Sequence, residues 1–133
     1  MDVKVLGAAN EVGRSGFLVN CNGTNLLLDY GVLFGRRDTP PQYPLHVKPK
    51  DLDAIIITHA HLDHSGNVPS LFVSGNTDVY ATPPTFDLTQ LLIEDMLKIT
   101  KDGSCRGIDL VNGTATTTRR VYQLRPHRQS VDG

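Results

Sequence analysis

Residues 58 to 66 read Thr-His-Ala-His-Leu-Asp-His-Ser-Gly. Four side chains able to ligate a metal ion, His59, His61, Asp63 and His64, fall within six positions, and three of the chain's five histidines are among them. Random placement of this pattern in such a chain has odds of about one in a thousand, so the run is read as a site. In extended backbone the side-chain period is two, so His59 and His61 point to one side and can share a cation. Asp63 and His64 come after the chain turns and can serve a second, adjacent cation. Imidazole and carboxylate suit zinc, and also iron or manganese. A closed structural zinc site normally takes four ligands around one ion, often with cysteine, and Cys21 and Cys105 are far away in sequence.

Such a cluster needs a rigid mount. Ala54-Ile55-Ile56-Ile57-Thr58 is a β-branched run that predicts a buried strand, with His59 to Gly66 leaving its end as a loop. Leu26-Leu27-Leu28-Asp29 predicts another strand, apolar on both faces and so internal. Asp29 closes it, a costly place for a carboxylate without partners. Two readings stand side by side there: a group that holds the histidine loop by hydrogen bonds, or a turn residue before Gly31.

The remaining elements follow from local pattern. Val3 and Val5 alternate with Asp2 and Lys4, which predicts a half-buried strand. Phe17-Leu18-Val19 predicts a second, joined to Leu26–Asp29 by a hairpin at Asn22-Gly23. These give a three-strand antiparallel start. Four prolines make residues 30 to 50 irregular. A short helix is expected over Asn67 to Val73 and a strand over Asp78 to Ala81. Thr82-Pro83-Pro84 opens the clearest helix, with Leu88, Leu91, Leu92, Met96 and Ile99 as its buried stripe and an end near Lys101 to Gly103.

Composition sets the limits. The chain has 133 residues, 39% of them hydrophobic and 20% charged, which suits one domain with one modest core. A net charge of −1 excludes nucleic-acid binding through bulk positive charge, though not through a local basic site. Arg119, Arg120, Arg125 and Arg128, with His127, form a basic tail that reads as solvated surface or as phosphate contact. Two cysteines make no disulfide framework. The longest aliphatic stretch, Ala54 to Ile57, spans no membrane, and the amino terminus lacks the pattern of a signal peptide. A soluble, cytoplasmic protein is expected. Gly7-x5-Gly13-Arg14-Ser15 is not a phosphate-binding loop, since Arg stands for Lys and a strand follows.

The His-x-His-x-Asp-His run at 59 to 64 resembles the signature of the metallo-β-lactamase superfamily. Gly7-Ala8-Ala9-Asn10-Glu11-Val12-Gly13-Arg14-Ser15, Leu27-Leu28-Asp29-Tyr30-Gly31 and Asn67-Val68-Pro69-Ser70-Leu71 narrow the likeness to the β-CASP nucleases. The resemblance covers residues 1 to about 100. It implies an α/β (α+β) fold, an αββα sandwich with metals at one edge of the two sheets. It implies two zinc ions per complete domain, His59 and His61 matching ligands of the first, Asp63 and His64 ligands of the second. Asp29 would match the strand-end aspartate that orients the metal loop, and Asp29 and Asp63 are the candidates for catalytic roles. The implied reaction is in-line hydrolysis of an RNA phosphodiester, exo- or endonucleolytic, with both cations stabilising the developing charge.

The family's later ligands and its nucleic-acid clamp find no match before Gly133. Residues 1–133 are therefore expected to be the N-terminal part of such a domain, inactive alone, without the β-CASP insert. Unpaired strand edges would favour a homo-oligomer. Two other readings stay open: a hydrolase of the same superfamily acting on a thioester, lactone or lactam, and a non-catalytic module that binds metal or a partner.

Overall fold

The computed structural model describes residues 1–72 and 77–101. Five strands form one sheet in sequential order: β1 (Asp2–Gly7), β2 (Gly16–Cys21), β3 (Thr24–Tyr30), β4 (Ala54–Ile56) and β5 (Asp78–Tyr80). β1, β2 and β3 are antiparallel neighbours, as the hairpin signals predict, with Asn22 and Gly23 at positive φ in the β2–β3 turn. β3, β4 and β5 are parallel. Parallel neighbours need crossovers, and these carry the helical pieces. Helix α1 (Leu62–Ser65) and a 3-10 helix (Val68–Phe72) lie between β4 and β5, and helix α2 (Pro83–Lys101) follows β5.

The crossovers cover one face of the sheet. Leu27, Ile55 and Val79 are buried there with Leu52, Ile57, Val68, Leu71 and Phe72. The opposite face carries two apolar rows. One runs Val3, Val19, Leu26, Ala54, and the other Val5, Phe17, Leu28, Ile56, Tyr80, each through directly paired positions. Side chains in these rows are half-buried or exposed. β1 is a strand as expected, but Val3 and Val5 are exposed along with Asp2 and Lys4.

Four local expectations shift. β4 ends at Ile56, two residues early, because the Thr58 N–H donates to the Asp29 side chain and not to a backbone carbonyl. The loop after it contains α1, whose first turn forms when the His61 carbonyl accepts the N–H groups of His64 and Ser65, both at 2.9 Å. The expected helix at 67 to 73 is a 3-10 turn over Val68–Phe72. The Ser70 N–H donates to the Asn67 carbonyl at 3.2 Å, the three-residue spacing of a 3-10 turn. The stripe on α2 is rotated: Thr85, Thr89, Ile93 and Met96 are buried, Leu92 is half-buried, and Leu88 and Leu91 are exposed. Ile93 and Met96 pack with Val32 and Leu62, so α2 buttresses the segment that carries the ligand candidates.

Residues 31 to 48 hold no regular element beyond an isolated bridge between Leu33 and Gln42. His46 is exposed, a surface histidine, and Cys21 is exposed at the β2–β3 turn. No helix among the described residues is long and apolar enough to cross a membrane. Cys105, His127 and the basic positions 119, 120, 125 and 128 lie outside the described residues.

Candidate metal centre

β3 and β4 run parallel, so their carboxyl ends meet at one rim of the sheet. β3 brings Asp29 to that rim and β4 leads into Thr58 and His59. The Asp29 side chain is only 4% exposed and must be partnered. It is partnered three times. Thr58 N–H donates to Oδ1 at 2.8 Å, Thr58 Oγ1 to Oδ2 at 2.8 Å, and His64 Nδ1 to Oδ2 at 2.8 Å. Asp29 has a φ of 58°, in the left-handed region that Asp tolerates better than most residues.

The bond from Nδ1 decides what His64 offers. With its proton given to Asp29, the free donor is Nε2, which faces Asp63 Oδ2 at 3.6 Å. The His59 ring lies 3.9 Å from that of His64, centroid to centroid, tilted by 51°. His59, Asp63 and His64 each present one ligand atom within 4.8 Å of the others. Ligands about 2.0–2.2 Å from one zinc ion stand on the order of 3.5 Å apart, so small side-chain rotations would close the set. Two imidazoles and a carboxylate, partly exposed and held from behind by a buried acid, are a donor set that fits a divalent cation.

The backbone behind Asp63 is clamped. Ser15 N–H donates to the Asp63 carbonyl at 2.8 Å, Gly31 N–H to the Ser15 carbonyl at 2.9 Å, and Val32 N–H to the Leu62 carbonyl at 2.9 Å. A Cβ at Gly31 would overlap the Asp63 carbonyl, so only glycine lets the chain after β3 pass so close. Ser65 Oγ donates to the Ala60 carbonyl at 2.9 Å, tying the end of α1 to the chain before His61. Ser15 is delivered by the turn after β1, in which Ala8, Asn10 and Arg14 have positive φ and Arg14 pairs with Glu11. Arg14 Nη1 also donates to the Tyr43 carbonyl at 3.3 Å.

All five sequence-derived candidates sit at this rim. Their grouping differs from the expected pairs: His59 joins Asp63 and His64, while His61 stays outside that trio, its ring edge-on to His59 at 5.0 Å. His61 is the N-cap residue of α1, and its carbonyl is committed to that helix. Three contributors carry no ligand signature. Thr58 is flagged only by its place before the first histidine, Gly31 by following a strand-end acid, and Ser15 by nothing that local pattern reveals.

Residues 11–96 match the model of the family described as "Metallo-beta-lactamase superfamily". Ribonuclease TTHA0252 of Thermus thermophilus is 41% identical over 100 residues, 74% of this chain and 23% of the relative. RNase aCSPSF2 of Saccharolobus solfataricus is 39% identical over 98 residues, 73% of this chain and 20% of the relative. Transcription termination factor FttA of Methanosarcina mazei is 46% identical over 101 residues, 73% of this chain and 16% of the relative. The chain thus matches about a fifth of the length of these curated relatives.

Proposed function

The chain belongs to the metallo-β-lactamase superfamily, and from that premise we propose that it carries one side of a zinc-dependent phosphodiesterase site, of β-CASP type, that acts on RNA. The observation carrying this reading is the trio His59, Asp63 and His64, gathered at a strand end by a buried aspartate. Relatives named as ribonucleases favour RNA over a thioester, lactone or lactam. Residues 1–133 are read as the N-terminal part of the hydrolase domain. The further ligands and the nucleic-acid clamp would belong to sequence matching the rest of those relatives. The same reading places the protein in the cytoplasm and includes self-association through unpaired strand edges.

In this proposal His59, His61, Asp63 and His64 hold two zinc ions, which when bound activate water and stabilise charge on the scissile phosphate. The protein's own residues prepare the ground. Asp29 fixes the His64 ring and leaves Nε2 free. Ser15 and Gly31 fix the Asp63 backbone so that its carboxylate stays beside that nitrogen. The rim is partly open, with Asp63 and His64 side chains 34% and 25% exposed, so an extended polyanion can reach it.

Zinc titration by calorimetry tests the reading. Binding at micromolar affinity or tighter is expected, and the complete protein is expected to cleave RNA while this chain alone does not. His59→Ala should abolish both. Ribonuclease activity surviving in His59→Ala complete protein would refute the assigned roles, and failure of the wild-type chain to bind zinc would favour a non-catalytic module.

A further inference from the structure

From the hydrogen bonds around Thr58 we infer that its hydroxyl is a positioning group that sets the tautomer of His59, relaying the influence of Asp29 to a second imidazole. The inference rests on the proposed metal site and adds a residue to it. Thr58 Oγ1 has two partners, Asp29 Oδ2 at 2.8 Å and His59 Nδ1 at 3.1 Å. A hydroxyl has one proton and two lone pairs, and a carboxylate oxygen accepts without donating. The proton therefore goes to Asp29. Toward His59 the hydroxyl can only accept, so Nδ1 of the neutral ring carries the proton and Nε2 carries the lone pair.

His64 reaches the same state by a shorter route, since its Nδ1 donates to that same Oδ2. One carboxylate oxygen thus orders two rings, His64 directly and His59 through a hydroxyl. The two ring centroids lie 3.9 Å apart, and with both Nδ1 atoms so bonded each ring carries its lone pair on Nε2 before a cation arrives. The Thr58 backbone is held separately, by its N–H on Oδ1. The hydroxyl can be removed without freeing the strand end.

Histidine-labelled full chain, free of metal and at about pH 8, above the ordinary histidine range, gives the test through long-range nitrogen–proton spectra of the rings. Wild type should show His59 protonated at Nδ1. Thr58→Val keeps the shape and the backbone bond but should mix the His59 tautomers and weaken zinc binding by about tenfold, the low end for loss of a partner behind a ligand. Thr58→Ser should restore both. Wild-type His59 protonated at Nε2, a reading that needs no variant, overturns the inference. So does Thr58→Val with wild-type spectra and affinity, or Thr58→Ser behaving like Thr58→Val. Zinc that binds none of the three proteins counts against the metal site itself, and the ring spectra then decide on the relay alone.

Discussion

Ile55 and Ile56 are neighbours of identical chemistry on opposite faces of β4. Ile55 is fully buried among Leu27, Val79 and the crossover residues. Ile56 is half-buried, in a row whose ends, Val5 and Tyr80, are each 47% exposed. A strand apolar on both faces therefore asks for two layers, and the described residues supply a full layer on one face only. In the αββα arrangement of this family a second sheet rests on such a face, with side chains from both sheets interleaved. The covered face supports the rim that bears the ligands.

That contrast can be measured. Ile55→Ala should cost about 2–5 kcal/mol in urea unfolding, the usual range for a truncated core aliphatic, whereas Ile56→Ala should cost about 1 kcal/mol. Equal losses would mean that both faces are packed alike. Gly31→Ala probes the rim without touching either face. Overpacking against the Asp63 carbonyl should cost about 1–3 kcal/mol and weaken zinc binding as well, while Ile56→Ala leaves zinc affinity unchanged. A Gly31→Ala chain with unaltered zinc affinity would detach the backbone clamp from the site.

The smallest effect concerns Tyr30, at the end of β3 on the covered side. Burial pushes its phenol above the ordinary value, and its hydroxyl donates to the Leu45 carbonyl at 3.1 Å. The folded chain therefore keeps this proton to higher pH than the unfolded chain does. Stability from this group is complete below the ordinary tyrosine value of about 10 and is lost as pH rises from there through the raised value of the folded chain. Tyr30→Phe should cost about 1 kcal/mol at neutral pH through the lost hydrogen bond, and the gap to wild type should narrow above about pH 10. Unfolding curves at the two pH values check this. A gap that widens on the alkaline side reverses the sign.

Much of this was legible from sequence because the informative residues are local. Asn22-Gly23 announces the hairpin, the β-branched run announces β4, and the four ligand types are packed into one segment. Asp29 stands out on energetic grounds, which leave its role open, and three hydrogen bonds from Thr58 and His64 explain how a buried acid is tolerated there. What stayed hidden depends on partners distant in the chain. The phase of α2 is one such case, because the polar Thr85 and Thr89 share the buried face of Ile93 and Met96 and an apolar pattern does not count them. Leu88 and Leu91 then turn outward. Ser15 reaches Asp63 across 48 positions of sequence, and no periodicity reports such a bond.

The backbone at Asp29 narrows the choice of side chain there. Its positive φ favours Gly, Asn and Asp over most side chains. Glycine would leave Thr58 and His64 without their acceptor, and asparagine would replace one accepting oxygen by an amide that donates. Glutamate would carry its carboxylate one methylene further out, away from the positions that Thr58 and His64 donate to. Aspartate thus meets two demands at once, a left-handed backbone and an acceptor for three donors.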